Sequence, residues 1–154
     1  MDDPRIRAAV RTDITALLKV ERSAPTAAHW SEQQYEDVFS AIEGSTPRLV
    51  LVAESDSAPP VGFLVARQIL PDWELENVVV EPAARRQGLG KRLLQALLFH
   101  AAENHSAEVF LEVRESNQAA RALYESAGFQ KVGRRKSYYA NPLEDAIVYR
   151  LDLR

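Results

Sequence analysis

The sequence contains no cysteine among its 154 residues. This absence excludes disulfides, thiolate metal sites, iron–sulfur clusters and a cysteine nucleophile. Only three histidines are present, and His100 and His105 have no partner at metal-ligand spacing, so we assign no metal site. A chain without cysteine is compatible with the reducing cytoplasm, which is the location we expect.

Long hydrophobic runs are also missing. A membrane-spanning helix needs about 18 apolar residues, whereas the longest runs here, 49–53 and 61–66, have the length of strands. The first residues, Met1 to Arg5, carry acidic charge and no apolar block follows them, so a signal peptide is not expected. We therefore expect no contact with a membrane.

An excess of positive charge is the third absence. The chain has 19 Lys and Arg against 22 Asp and Glu, a net charge of −3, which argues against direct binding of nucleic acid. Any phosphate ligand would need a local cluster of cations. The content of 46% apolar and 27% charged residues is typical of a globular protein, and the length predicts a single domain over residues 1–154.

Hydrophobic periodicity predicts alternating strands and helices. Ile6, Ala8 and Val10 indicate a short first strand, and Thr12 or Asp13 can cap a first helix. Further helices are predicted from Ser31 to Gly44, including Ile42, and at 89–104 and 117–127; further strands are predicted at 49–54, 61–70, 73–80, 108–113, 129–139 and 146–153. This order predicts the α/β class, with one mixed sheet of about seven strands and helices on both faces.

The segment from Val78 to Lys91, Val-Val-Val-Glu-Pro-Ala-Ala-Arg-Arg-Gln-Gly-Leu-Gly-Lys, leads from a strand into the best-defined helix. Its glycines allow close backbone approach, and a helix start with neighbouring cations suits a pyrophosphate. A Walker loop is excluded because Arg85 stands at its first glycine position and Arg92 at its hydroxyl position. A dinucleotide loop is excluded because its third glycine would be Leu93.

Two later residues are candidate site residues. Glu112 lies at the carboxyl end of an otherwise apolar strand, where open α/β sheets place ligand sites, but a solvent-facing carboxylate is the simpler interpretation. Tyr124 lies on a helix among alanine and leucine, and by itself it favours a tyrosine at the edge of the core with a hydrogen-bonded hydroxyl.

Together these segments resemble a known family. Arg-Arg-Gln-Gly-Leu-Gly-Lys after Val-Val-Val-Glu-Pro is similar to the acyl-CoA pyrophosphate loop of the GNAT superfamily of N-acetyltransferases. The run Leu-Glu-Val-Arg-Glu-Ser-Asn-Gln-Ala-Ala-Arg-Ala-Leu-Tyr-Glu-Ser-Ala-Gly-Phe is similar to the branch that acetylates the N-terminal alanine of a ribosomal protein. The resemblance covers residues 76–150 and implies the GNAT fold.

The resemblance also implies roles for individual residues. Glu112 would be the general base and Tyr124 the general acid, while a protein N-terminus would be the acceptor. The acceptor would contact Trp30, Tyr138 and Tyr139. Acetyl-CoA, the cosubstrate, would be held by Val78, Val79, Val80, Arg85, Arg86, Gln87, Gly88, Leu89, Gly90, Lys91, Asn117, Ala120 and Tyr124.

The absence of cysteine favours direct attack of an amine on the thioester in a ternary complex over a thiol acyl-enzyme. The acceptor remains open: a lysine side chain, a polyamine or another small amine is the alternative. A catalytically silent acyl-CoA-binding module is a further alternative, which the presence of both Glu112 and Tyr124 disfavours. The sequence does not predict the oligomeric state.

Overall fold

The structure, a computed structural model, describes residues 4–24, 28–40, 47–55 and 58–153. Seven strands and four helices alternate along this part of the chain. In chain order they are β1 (Arg5–Ala8), α1 (Ile14–Arg22), α2 (Glu32–Phe39), β2 (Arg48–Glu54), β3 (Gly62–Ile69), β4 (Asp72–Val80), α3 (Leu89–Glu103), β5 (Glu108–Arg114), α4 (Gln118–Ser126), β6 (Gln130–Tyr139) and β7 (Glu144–Asp152).

All seven strands belong to one sheet in the order β1-β2-β3-β4-β5-β7-β6. Every neighbouring pair is antiparallel except β4 and β5, which are parallel. The parallel pairing is short and ends at Leu75 opposite Leu111. Beyond that point β4 is paired only with β3, and β5 only with β7, so a gap opens in the middle of the sheet.

Helices cover both faces of the sheet, as the sequence predicts. On one face, α1 and α2 bury Leu17, Val20 and Tyr35 against β2 and β3. On the other face, α3 presents leucines at helical spacing to the sheet, and Tyr124 of α4 joins the same core. No helix in the described ranges is both long enough and apolar enough to cross a membrane.

The ends of α2 and of the first strand differ from the predictions. The capping box of α2 is present, because Ser31 Oγ accepts from Gln34 N at 3.1 Å and Gln34 Oε1 accepts from Ser31 N at 2.7 Å. The helix nevertheless ends at Phe39, since Ser40 is extended; Ile42 and Gly44 lie outside the described residues. The first strand ends at Ala8, before Val10.

Asp13 is the residue before α1, as predicted, but its side chain makes no cap. Its two carboxylate oxygens instead accept from the guanidinium of Arg7 at 2.8 and 2.9 Å, and Oδ2 also accepts from Val10 N. The carboxylate therefore ties the first strand to the first helix.

Candidate active site

A cleft of about 890 Å³ opens where β4 and β5 separate. Its walls come from the second half of β4, the loop into α3, the end of β5 and the inner side of α4. The predicted site residues that line it are Val78, Val79, Val80, Arg85, Arg86, Gly88, Leu89, Gly90, Lys91, Glu112, Asn117, Ala120, Tyr124 and Tyr139. Gln87, Trp30 and Tyr138 do not line it.

The β4 side of the cleft is a strand edge. Val78 to Val80 pair with β3 on one side and have no strand partner on the side that faces β5. Arg85 Nε donates to Val80 O at 3.1 Å and holds the following loop against the strand end. Such an edge can add an extended ligand by hydrogen bonds to its backbone.

The loop into α3 is shaped by left-handed backbone at two residues, Arg86 with φ 66° and Gly88 with φ 74°. Gly88 precedes the helix and gives it no side-chain cap, so the first N–H groups of α3 face the cleft without a side-chain acceptor. A β-carbon on Gly90 would lie 3.1 Å from Leu123 Cδ2, so this glycine lets α3 begin close to α4.

Two cations of this loop are available for a ligand. Arg86 and Lys91 are exposed, and neither forms an ion pair with any residue in the described ranges. Unpaired cations beside a free helix N-terminus of a 15-residue helix form a favourable site for an anion. The residues therefore fit the pyrophosphate of an acyl-CoA, and the strand edge beside them fits an extended pantetheine arm.

Glu112 lies on the opposite side of the cleft, in β5. Its neighbours Leu111 and Val113 point into the core under α3, so the alternation of the strand directs Glu112 to the other face. Its side chain is 15% exposed, and Oε1 lies 2.9 Å from Arg135 Nε. The Tyr138 hydroxyl hydrogen-bonds to the same carboxylate, which raises the pKa of Tyr138.

Tyr124 reaches the cleft from α4 with a side chain that is 7% exposed. Its ring packs against Phe129 and Tyr149 at centroid distances of 6.0 and 6.2 Å. No hydrogen bond holds its hydroxyl in the described part of the chain, and burial raises the pKa of Tyr124. The phenol is therefore protonated at neutral pH and has its proton free for a ligand.

Asn117 caps α4, because its Oδ1 accepts from Ala120 N at 3.2 Å. The carbonyl oxygen is used within the helix start, so the amide NH₂ is the group left to face the cleft. Asn117 and Ala120 both line the cleft, as Tyr124 does.

The end of the cleft away from the loop into α3 contains paired charges and aromatic rings. Tyr139 lines it, with the guanidinium of Arg114 at 4.4 Å from its ring centre. Burial raises the pKa of Tyr139 to about 12. Tyr138 is 51% exposed. Trp30 instead packs on Tyr35 at 5.3 Å, with Arg48 over its ring at 5.1 Å.

Several residues of this end have no role assigned from the sequence. Ala28 and His29 line the cleft from the α1–α2 connection, and Glu76, Asn77 and Arg114 line it from the two diverging strands. Two of them carry a signal in the sequence: His29 is a histidine in the segment before α2, and Asn77 is a polar residue at an alternating position that is otherwise apolar and buried. Among the described residues, no three His, Asp or Glu side chains gather in a way that could hold a metal ion.

Comparisons with known proteins agree with this geometry. Residues 14–129 match the model of the acetyltransferase (GNAT) family. The chain is 35% identical to ribosomal protein bS18-alanine N-acetyltransferase of Escherichia coli K12 over 144 residues, which cover 92% of this chain and 93% of that protein. It is 44% identical to N-alpha-acetyltransferase RimI of Mycobacterium tuberculosis over 81 residues, which cover 53% and 49%.

Solved structures give the same fold. The crystal structure of the ribosomal-protein-S18-alanine N-acetyltransferase from Escherichia coli has a TM-score of 0.84 and 31% identity, and the match covers 98% of this chain and 94% of that one. NAA60 of Arabidopsis thaliana in complex with acetyl-CoA has a TM-score of 0.82 at 16% identity, covering 97% and 99%. The chain therefore belongs to the GNAT family, the acetyltransferases that take their acetyl group from acetyl-CoA.

Proposed function

We propose that this enzyme acetylates the N-terminal α-amine of a protein, a ribosomal protein that begins with alanine, by direct transfer from acetyl-CoA. We place this reaction in the cytoplasm. The observation that carries the proposal is the position of Glu112 and Tyr124 on the walls of one cleft, beside a strand edge and an anion-binding loop. The acceptor class is that of the Escherichia coli relative, whose name specifies an alanine of bS18.

The first requirement is removal of a proton from the acceptor. An α-amine has a pKa of about 7.7–8.0, so it arrives mostly as an ammonium ion and has no lone pair for attack. The Glu112 carboxylate lines the cleft and accepts this proton, directly or through a water. The Arg135 side chain is 60% exposed, so it can swing aside as the acceptor amine takes its place at the carboxylate.

The second requirement is a proton for the leaving group. As the amine nitrogen bonds to the acetyl carbonyl carbon, the carbon–sulfur bond breaks and the sulfur of CoA takes up charge. Tyr124 donates its phenolic proton to that sulfur, because its hydroxyl is protonated and without a hydrogen-bond partner in the described part of the chain. With no cysteine in the sequence, no thiol acyl-enzyme intervenes.

The cosubstrate is held mainly by backbone. Val78 to Val80 pair with the pantetheine arm as a further strand would, and their N–H groups polarise the thioester carbonyl. Arg86, Lys91 and the N-terminus of α3 bind the pyrophosphate. Asn117 hydrogen-bonds to the arm through its free NH₂ group.

Steady-state kinetics with matched acceptors test the proposal. We expect the enzyme to acetylate a short peptide that begins with alanine. The same peptide blocked at its N-terminus but carrying a free lysine side chain, and spermidine as a polyamine, should react at least about a hundredfold more slowly in kcat/KM. Faster reaction of lysine or spermidine would overturn the acceptor assignment and leave the acetyl transfer intact.

The natural acceptor follows from mass spectrometry of protein N-termini in cells with and without this gene. We expect one ribosomal protein that begins with alanine to lose its N-terminal acetyl group when the gene is removed. Unchanged acetylation of every ribosomal protein N-terminus would contradict the proposed acceptor.

A further inference from the structure

Glu21 in α1 is a carboxylate in an apolar environment. The residue is 2% exposed and lies in the helix that buries Leu17 and Val20 against the sheet. In the described ranges, no lysine or arginine pairs with it. Burial of a charge is costly unless hydrogen bonds compensate for the lost water. A leucine at this position would pack without that cost, so packing alone does not explain the carboxylate.

The partners of Glu21 come from the α1–α2 connection and from α2. Oε1 accepts from the Tyr35 hydroxyl at 2.6 Å and from the backbone N–H of Trp30 at 2.8 Å. Oε2 lies 3.9 Å from His29 Nδ1. The Tyr35 ring is fully buried and packs on the Trp30 ring, so the carboxylate, the phenol and the indole form one compact unit.

A second anchor holds the same short stretch from the strand. Asn77 of β4 is 8% exposed, and its Nδ2 donates to the carbonyl of Ala28 at 3.1 Å. The stretch 28–30 is thus tied to α1 through Glu21 and to β4 through Asn77. Ala28 and His29 line the cleft, whereas Trp30 points away from it. Because Asn77 directly precedes Val78, the anchor adjoins the strand edge proposed for the acetyl donor.

We propose that Glu21 is a positioning residue for the acceptor, because it fixes the 28–30 wall of the cleft at the end where Glu112 and Tyr139 lie. This inference rests on the proposed acetylation of a protein N-terminus. Glu21 touches neither substrate and acts through the backbone of Trp30 and the ring of Tyr35. Its loss should therefore weaken use of a peptide acceptor and leave the donor site unchanged.

The experiment compares Glu21→Leu, Glu21→Gln and Val20→Ala with the parent enzyme, using a short peptide that begins with alanine. Leucine removes both hydrogen-bond acceptors, whereas glutamine keeps an oxygen at Oε1. Val20→Ala is the matched control, because it weakens the packing of the same helix at a residue that is 1% exposed and does not line the cleft.

We expect Glu21→Leu to raise the peptide KM about tenfold, with kcat and the Kd for acetyl-CoA within about twofold of the parent. Glu21→Gln should restore the peptide KM to within about threefold. Where Val20→Ala and Glu21→Leu lower the melting temperature by the same amount, Val20→Ala should still leave the peptide KM unchanged. Amide hydrogen exchange at Trp30 should be faster in Glu21→Leu and parent-like in Val20→Ala.

Two results would overturn the inference alone: an unchanged peptide KM in folded Glu21→Leu, or an equal rise in Val20→Ala. A parent enzyme that acetylates lysine side chains or polyamines but no peptide N-terminus would overturn the proposed function, and the acceptor role of Glu21 with it. The parent reaction therefore distinguishes the two failures.

Discussion

The two ends of the cleft treat charge in opposite ways. At the loop into α3, Arg86 and Lys91 face outward without an ion-pair partner in the described chain. At the other end, arginines pair with carboxylates of this chain: Arg48 with Glu76 at 2.8 Å, Arg114 with Glu144 at 3.3 Å and Arg135 with Glu112 at 2.9 Å. The first end is completed by a ligand's charge, whereas the second is neutralised in advance.

Because of this difference, we expect the two ends of the cleft to control different kinetic parameters. The donor end combines backbone groups with unpaired cations and should govern the binding of acetyl-CoA. The acceptor end holds the proposed base and a framework of side-chain contacts, so it should govern the rate and the choice of amine. Changes in one end should therefore leave the other end's kinetic parameters almost unchanged.

The largest effect is expected from Tyr124→Phe, which removes the proposed acid at the point where the two ends meet. We expect kcat to fall by about 10²–10⁴-fold with little change in the Kd for acetyl-CoA, measured by single-turnover kinetics and calorimetry. Tyr149→Phe is the control, because the Tyr149 hydroxyl accepts from Arg121 Nε at 3.0 Å and its ring does not line the cleft. Equal turnover in the two variants would remove Tyr124 from the mechanism.

The pH dependence of kcat/KM in Glu112→Gln tests the acceptor end. We expect kcat/KM to fall about a hundredfold near pH 7, with a smaller loss above pH 8, where the amine is deprotonated without help. Glu74→Gln is the matched control, since Glu74 lies on the same sheet and does not line the cleft. A loss of the same size at every pH would argue against a base at Glu112.

Gly88→Val tests the donor end. Valine is strained at φ 74°, and the start of α3 must shift to relieve that strain, so the Kd for acetyl-CoA should rise about tenfold. The peptide KM should not change. Gly133→Val, in β6 and with no contact closer than 4.0 Å for an added β-carbon, should leave acetyl-CoA binding intact. If calorimetry gave both variants the same affinity for acetyl-CoA, the anion site would lie elsewhere.

The smallest effect is a difference in salt dependence. Raising the salt from about 50 to about 200 mM shortens the screening length, so acetyl-CoA should bind several-fold more weakly. The KM of an uncharged peptide should change less than about twofold. Arg86→Gln should reduce the salt dependence of acetyl-CoA binding and leave the salt dependence of the peptide KM unchanged. If the affinity for acetyl-CoA and the peptide KM changed with salt to a similar extent, the two ends would not differ in their use of charge.

The sequence predicts these two ends unequally well. Val78 to Lys91 is continuous, and its strand, glycines and helix start depend on local rules, so every residue predicted there except Gln87 lines the cleft. The seven strands and the two helical layers follow from periodicity for the same reason. Glu112 and Tyr124 are brought together only by the fold, and the family resemblance was needed to select them.

The rest of the acceptor end depends on irregular geometry. Trp73, Leu75, Asn77 and Val79 alternate along β4 and are all buried, which suggests a single buried face. A bulge opposite Val65 and Ala66 shifts the register, so Leu75 joins the core under α3 and Val79 the core under α1. No sequence pattern predicts that shift, and Asn77 reaches Ala28 because of it.

The end of the β4–β5 pairing at Leu75 and Leu111 has a consequence for the stability of the protein in the cell. If acetyl-CoA pairs with the main chain of β4 beyond that point, as proposed, occupancy of the site and resistance to unfolding should rise together. Acetyl-CoA would then act as a folding ligand as well as a reactant. Proteases would remove the enzyme fastest when cells run short of the metabolite.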